Sequence, residues 1–81
     1  MRLLVVDDCV NIVNILTCFL ELAGHEADQA LNGREALEFL RQNSYDVVIT
    51  DAMMPEMDGI ELCKLIKANY PGIYVIGISG S

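Results

Sequence analysis

Basic residues are scarce in this sequence. Its 81 residues include five lysines and arginines against twelve aspartates and glutamates, a formal net charge of −7. A surface of that sign repels phosphate backbones, so direct binding to nucleic acid is not expected, and cations or basic protein surfaces are the natural partners. Cysteine is sparse too. Cys9, Cys18 and Cys63 are odd in number and lack metal-ligand spacing, which suggests reduced thiols in a cytosolic protein. No hydrophobic run is long enough to cross a bilayer, and the sequence opens on a strand-like segment rather than a leader. No membrane association and a cytoplasmic location are therefore expected. Linkers, repeats and low-complexity tracts are also lacking, so residues 1–81 read as one small domain.

Apolar residues, in contrast, are abundant. They make up 53% of the chain, and the mean hydropathy is +0.38. A domain this short buries only about 60–65% of the surface its unfolded form exposes. Part of its apolar surface is expected to need a partner.

The pattern of these residues predicts seven elements. Leu3-Leu4-Val5-Val6 is a continuous apolar run too short for a helix, as expected of a strand buried on both faces. Val10 to Ala23 has a helical period, with Asn11, Asn14, Thr17 and Glu21 on one narrow polar stripe and Gly24 as its stop. Glu26 to Ala30 is a weak second strand. Asn32 caps a second helix, with Glu35 at the reciprocal position and Ala36, Leu37 and Leu40 facing inward. Tyr45 to Thr50, ending on Asp51, is a third strand. Asp58 caps a third helix whose core stripe is Leu62, Leu65 and Ile66, and Pro71-Gly72 ends it. Ile73 to Ile78 is the fourth strand. The order βαβαβαβ predicts an α/β fold with a parallel sheet and helices on its faces. His25, after the helix-ending glycine, is expected to be a solvated turn residue.

The chemistry lies at the strand ends. Asp7 and Asp8 follow the first strand and Asp51 follows the third. Ligands of open α/β sheets bind beyond the carboxyl ends of the strands, where the strand order reverses. If strands one and three are neighbours, three carboxylates meet there. Like charges at that spacing raise one another's pKa, and a hard divalent cation such as Mg²⁺, which prefers oxygen ligands, relieves the repulsion. Taken one at a time, these acids read as helix caps or turn residues. Taken together, they point to a cation site beside a carboxylate poised for phosphoryl transfer.

Leu3-Leu4-Val5-Val6-Asp7-Asp8, followed by Val47-Val48-Ile49-Thr50-Asp51-Ala52-Met53-Met54-Pro55-Glu56-Met57-Asp58-Gly59, resembles the receiver domain of two-component response regulators. The resemblance runs from Met1 to Ser81. It implies a flavodoxin-like, doubly wound sheet of order 2-1-3-4. It implies that Asp51 accepts a phosphoryl group from a phosphohistidine on a sensor histidine kinase, and that Asp8, Asp51 and the backbone carbonyl of Met53 hold Mg²⁺, with Asp7 acting mostly through metal-bound water. Ser79 matches the family's switch hydroxyl. The domain would then be no enzyme in the ordinary sense, but a phosphoacceptor that assists its own phosphorylation and dephosphorylation.

Two departures from the family pattern carry expectations. Cys9 stands where many relatives have a third acid, which should weaken the cation site modestly. The family pattern continues past the fourth strand with a helix, a fifth strand ending near a lysine, and a last helix, whereas this sequence stops at Ser81. Phosphorylation of Asp51 is therefore expected to be slow or short-lived. The uncharged fourth strand is expected to lie at an open edge and to pair with a second copy. An alternative reading is a truncated receiver that works as a non-phosphorylated dimerisation domain. A haloacid-dehalogenase-type phosphatase would need an acid two residues after the nucleophile, where Met53 stands. A dinucleotide-binding domain would need a glycine-rich loop after the first strand, where Asp7-Asp8-Cys9 stands.

Overall fold

A computed structural model describes residues 1–52 and 59–78. The chain runs β1 (Arg2–Val6), α1 (Val10–Leu22), β2 (Glu26–Ala30), α2 (Gly33–Gln42), β3 (Val47–Asp51), α3 (Gly59–Asn69) and β4 (Tyr74–Ile78). The four strands form one parallel sheet of order β2-β1-β3-β4, the flavodoxin-like arrangement. The strand limits differ by a residue or two from those expected. Tyr45 and Asp46 precede β3, and Ile73 precedes β4, because each lies in the turn that enters its strand.

Helices cover both faces. On one, Ala36 and Leu40 of α2 and Leu62 and Ile66 of α3 close over Leu4, Val6, Ala30 and Val48, with Tyr45 at the margin. Leu37 packs against this cluster only partly buried. On the other, α1 lies over β1 and β2 and buries Val13 and Thr17. The alternation of side chains along a strand explains the division: Leu4 and Val6 point to α2 and α3, and Leu3 and Val5 to the α1 side.

Local signals account for the helix ends. Asn32 accepts from the Glu35 amide at 2.8 Å, and the Glu35 carboxylate accepts from the Leu31 amide at 3.0 Å, so the capping pair forms with its return bond one residue early. Gly24 adopts φ 91°, His25 N–H reaches the Leu20 carbonyl, and Gly24 N–H reaches that of Glu21. These two bonds are the Schellman closure of α1. The cap expected from Asp58 lies outside the described residues.

The polar stripe of α1 is divided between solvent, where Asn11, Asn14 and Glu21 lie, and the sheet. Thr17 is buried, donates to the Val13 carbonyl at 2.7 Å and accepts from the Gln29 amide, which also donates to Asn14. Ile12, Ile15, Phe19 and Leu22 of α1 are exposed as well. His25 is half-buried rather than solvated, and its Nδ1 accepts from the α-amino group of Met1 at 3.2 Å.

Candidate functional site

Parallel pairing of β1 with β3 sets Val6 beside Thr50, and the next residues, Asp7 and Asp51, emerge together at the carboxyl end. Asp7 is held by the ladder: its amide donates to the Ala30 carbonyl at 3.1 Å. Asp51 closes β3 opposite Ile78 of β4, and the Ala52 amide donates to the Ile78 carbonyl at 3.0 Å. Asp8 adds an exposed carboxylate to this pair. One oxygen from each of Asp7, Asp8 and Asp51 lies within 4.8 Å of the others.

The environments of these acids differ. Asp7 is 1% exposed and Asp51 5%. The Asp7 Oδ1 accepts from the Cys9 amide at 2.9 Å, whereas its buried Oδ2 has no hydrogen-bond partner among the described residues. Burial raises the Asp7 pKa above its ordinary value. The Cys9 amide opposes that rise, and the Asp51 and Asp8 carboxylates add to it. Helix capping does not account for the cluster. The N-cap of α1 is Cys9, which makes no side-chain capping bond, and the first turn of α1 holds no acid.

The cluster suits a small hard cation. Mg²⁺ takes oxygen ligands, carboxylates among them, and these three carboxylate oxygens are near enough to share one ion. The unpartnered Asp7 oxygen supplies an acceptor that lacks only a cation or a water. Of the other residues expected in the site, Met53 and Ser79 lie outside the described residues.

Gly59, the first residue of α3, packs against the backbone at the strand end that carries Asp51. Its amide donates to the Ala52 carbonyl at 3.1 Å, and a Cβ placed on it would stand 1.9 Å from the Asp51 carbonyl oxygen. The backbone of α3 therefore abuts the backbone of Asp51, and only glycine permits this approach. The sequence offered one overlooked signal, a glycine in the first turn of a helix, where it is costly unless space demands it.

The model of the response regulator receiver domain matches residues 3–81. The chain belongs to the receiver domain family of response regulators. This receiver is 44% identical over 66 residues to a CpxR homolog, a transcriptional regulatory protein of Haemophilus influenzae, covering 82% of the chain and 29% of that protein. It is 43% identical over 74 residues to the transcriptional regulatory protein ZraR of Escherichia coli, covering 91% of the chain and 17% of ZraR. The chain thus spans under a third of the length of these curated relatives. Among solved structures, the response regulator TrrA of Thermotoga maritima, determined in complex with Mg²⁺-BeF, superposes with a TM-score of 0.93 at 38% identity, covering 99% of this receiver and 70% of that chain. A Francisella receiver domain gives a TM-score of 0.90 at 36% identity, covering 96% and 64%.

Proposed function

We propose that this receiver is the phosphoacceptor module of a two-component phosphorelay and that Asp51 takes the phosphoryl group from a sensor histidine kinase in the cytoplasm. The observation that carries the proposal is the meeting of Asp7, Asp8 and Asp51 within 4.8 Å, with one buried Asp7 oxygen that has no hydrogen-bond partner among the described residues. Asp8, Asp51 and the Met53 carbonyl would hold Mg²⁺, with Asp7 reaching it through water. When bound, Mg²⁺ supplies charge neutralisation for the carboxylates and the phosphoryl oxygens.

In the transfer itself, an Asp51 carboxylate oxygen attacks phosphorus in line. The P–N bond to the donor histidine breaks as the P–O bond forms, and the departing imidazole keeps its electron pair. Asp51 is suited to the task by position, fixed between β1 and β4 at the sheet end. Ser79 is assigned a hydroxyl contact to a phosphoryl oxygen. In this reading the domain assists its own phosphorylation and dephosphorylation but turns over no separate substrate.

The test is exposure of the purified chain to a small phosphodonor, such as acetyl phosphate, with and without Mg²⁺. A Mg²⁺-dependent covalent phosphoryl adduct, read by mass and absent from Asp51→Asn, is expected. No adduct on the folded wild-type chain would refute the reading.

The second reading, a dimerisation module that works without phosphorylation, is favoured by the exposed apolar side chains of α1 and β4. Pairing of two copies through the fourth strand is compatible with both readings.

A further inference from the structure

The end of the sheet opposite Asp7 and Asp51 carries an open cavity of about 490 Å³, within the size range of small-ligand sites. It lies where α2 and α3 end, between the segments that lead from them into β3 and β4. The Tyr74 amide donates to the Asp46 carbonyl at 3.0 Å and ties those two segments together. Leu40, Tyr45, Tyr70 and Ile73 line the cavity with aliphatic and aromatic surface, and Asn43 and Ser44 add an amide and a hydroxyl. Tyr45 is held in place: it is buried, and its hydroxyl donates to Asp28 at 2.6 Å.

Charge decides what such a cavity takes. Two helices end here, and the last carbonyls of each carry a partial negative charge of roughly half an elementary charge. Arg41 is the one charged residue in the lining, and it is paired with Glu38. Lys67, in the last turn of α3, is exposed and is not part of the lining. Arg2 stands 5.4 Å from the centroid of the Tyr45 ring and is paired with Asp28 at 3.4 Å, so this ring already holds a cation within the fold. Asp46, next in the chain, adds a carboxylate that accepts from the Arg2 amide. The net charge of −7 favours a cation further.

We propose that this cavity binds a small organic cation, a free amine on a short apolar body. The body rests against Leu40 and Ile73, and the ammonium group lies between the Tyr70 ring and the carbonyls that end α2. An anion would meet the helix ends unfavourably. A neutral molecule of the same shape would forgo both the helix-end and the aromatic attraction. The site is at the other end of the sheet from Asp51, so it stands whether or not Asp51 accepts a phosphoryl group. The chain would then receive a chemical input remote from its carboxylate cluster.

Titration of the full chain with phenethylamine tests this, followed by ¹H–¹⁵N NMR with Mg²⁺ in excess; the dispersion of each spectrum also reports folding. Saturable shifts confined to residues 40–45 and 70–73 are expected, with a dissociation constant of about 1 mM or lower, reasonable for so small a ligand. 2-Phenylethanol, the neutral counterpart, should bind at least about 10-fold more weakly, and added KCl should weaken the amine. Tyr70→Leu, which keeps apolar bulk but removes the ring, should weaken the amine about 5-fold. Ser44→Arg, at an exposed position, places a competing cation at the cavity and should weaken it at least about 10-fold, which keeps the test open if Tyr70→Leu does not fold. Equal affinity for the alcohol overturns the proposal, as does unchanged binding to either folded variant. Shifts centred on Asp7, Asp8 and Asp51, or no saturable binding by about 10 mM amine, overturn it as well.

Discussion

Gly59 and Asp7 show how single residues set the geometry of this site. Replacing Gly59 by alanine places a methyl against the Asp51 carbonyl, a contact that backbone alone cannot relieve without moving. Gly59→Ala is expected to cost about 2–3 kcal/mol, the upper range for overpacking, and to lower phosphoryl uptake at Asp51. Thermal unfolding and the phosphodonor assay measure the two effects. Asp7 acts through charge. Its folded pKa lies above the ordinary value of 3.8 because of burial. Between those two values the native state holds more protons than the unfolded one, so stability falls as pH rises through that window. Above it the penalty is complete. Asp7→Asn, which keeps an acceptor for the Cys9 amide, should therefore stabilise the metal-free protein at pH 7, and the gain should shrink as pH approaches 4. Denaturant titrations of both proteins across pH test the sign.

At the scale of elements, α1 is the instructive case. Its extent and its stop at Gly24 were legible from periodicity and one glycine. Its orientation was not. Asn14 and Thr17 are met by Gln29, a partner that only the β1–β2 pairing brings within reach. Polar residues at helical spacing report a stripe, not the direction in which it points. The Asp7–Asp51 encounter was legible for the opposite reason: parallel topology alone aligns the ends of neighbouring strands. The role of Gly59 was hidden, because its steric neighbour is the backbone of Asp51, eight residues earlier. The Gly24 closure yields its own prediction. At φ 91° an L side chain is strained though space is open, so Gly24→Ala should cost about 1 kcal/mol, read from urea unfolding.

At the scale of the whole molecule, stability should respond to a cation held by the carboxylate cluster. A ligand that binds only the folded state adds RT ln(1 + [L]/Kd), about 2.7 kcal/mol at a hundredfold excess over Kd. Mg²⁺ should raise the unfolding temperature of the wild-type receiver accordingly, and should do so much less for Asp51→Asn, as followed by calorimetry. A rise of equal size in the variant would place the cation elsewhere.

The parallel sheet has a further effect. Each helix begins just beyond the carboxyl end of a strand: α1 after β1, α2 after β2 and α3 after β3. All three helix dipoles therefore present their positive ends on the side of Asp7, Asp8 and Asp51, each equivalent to roughly half an elementary charge. Together they offset roughly half of the charge of the three carboxylates gathered there. The helix dipoles and a bound divalent cation would together bring this end close to neutral for an incoming phosphoryl group.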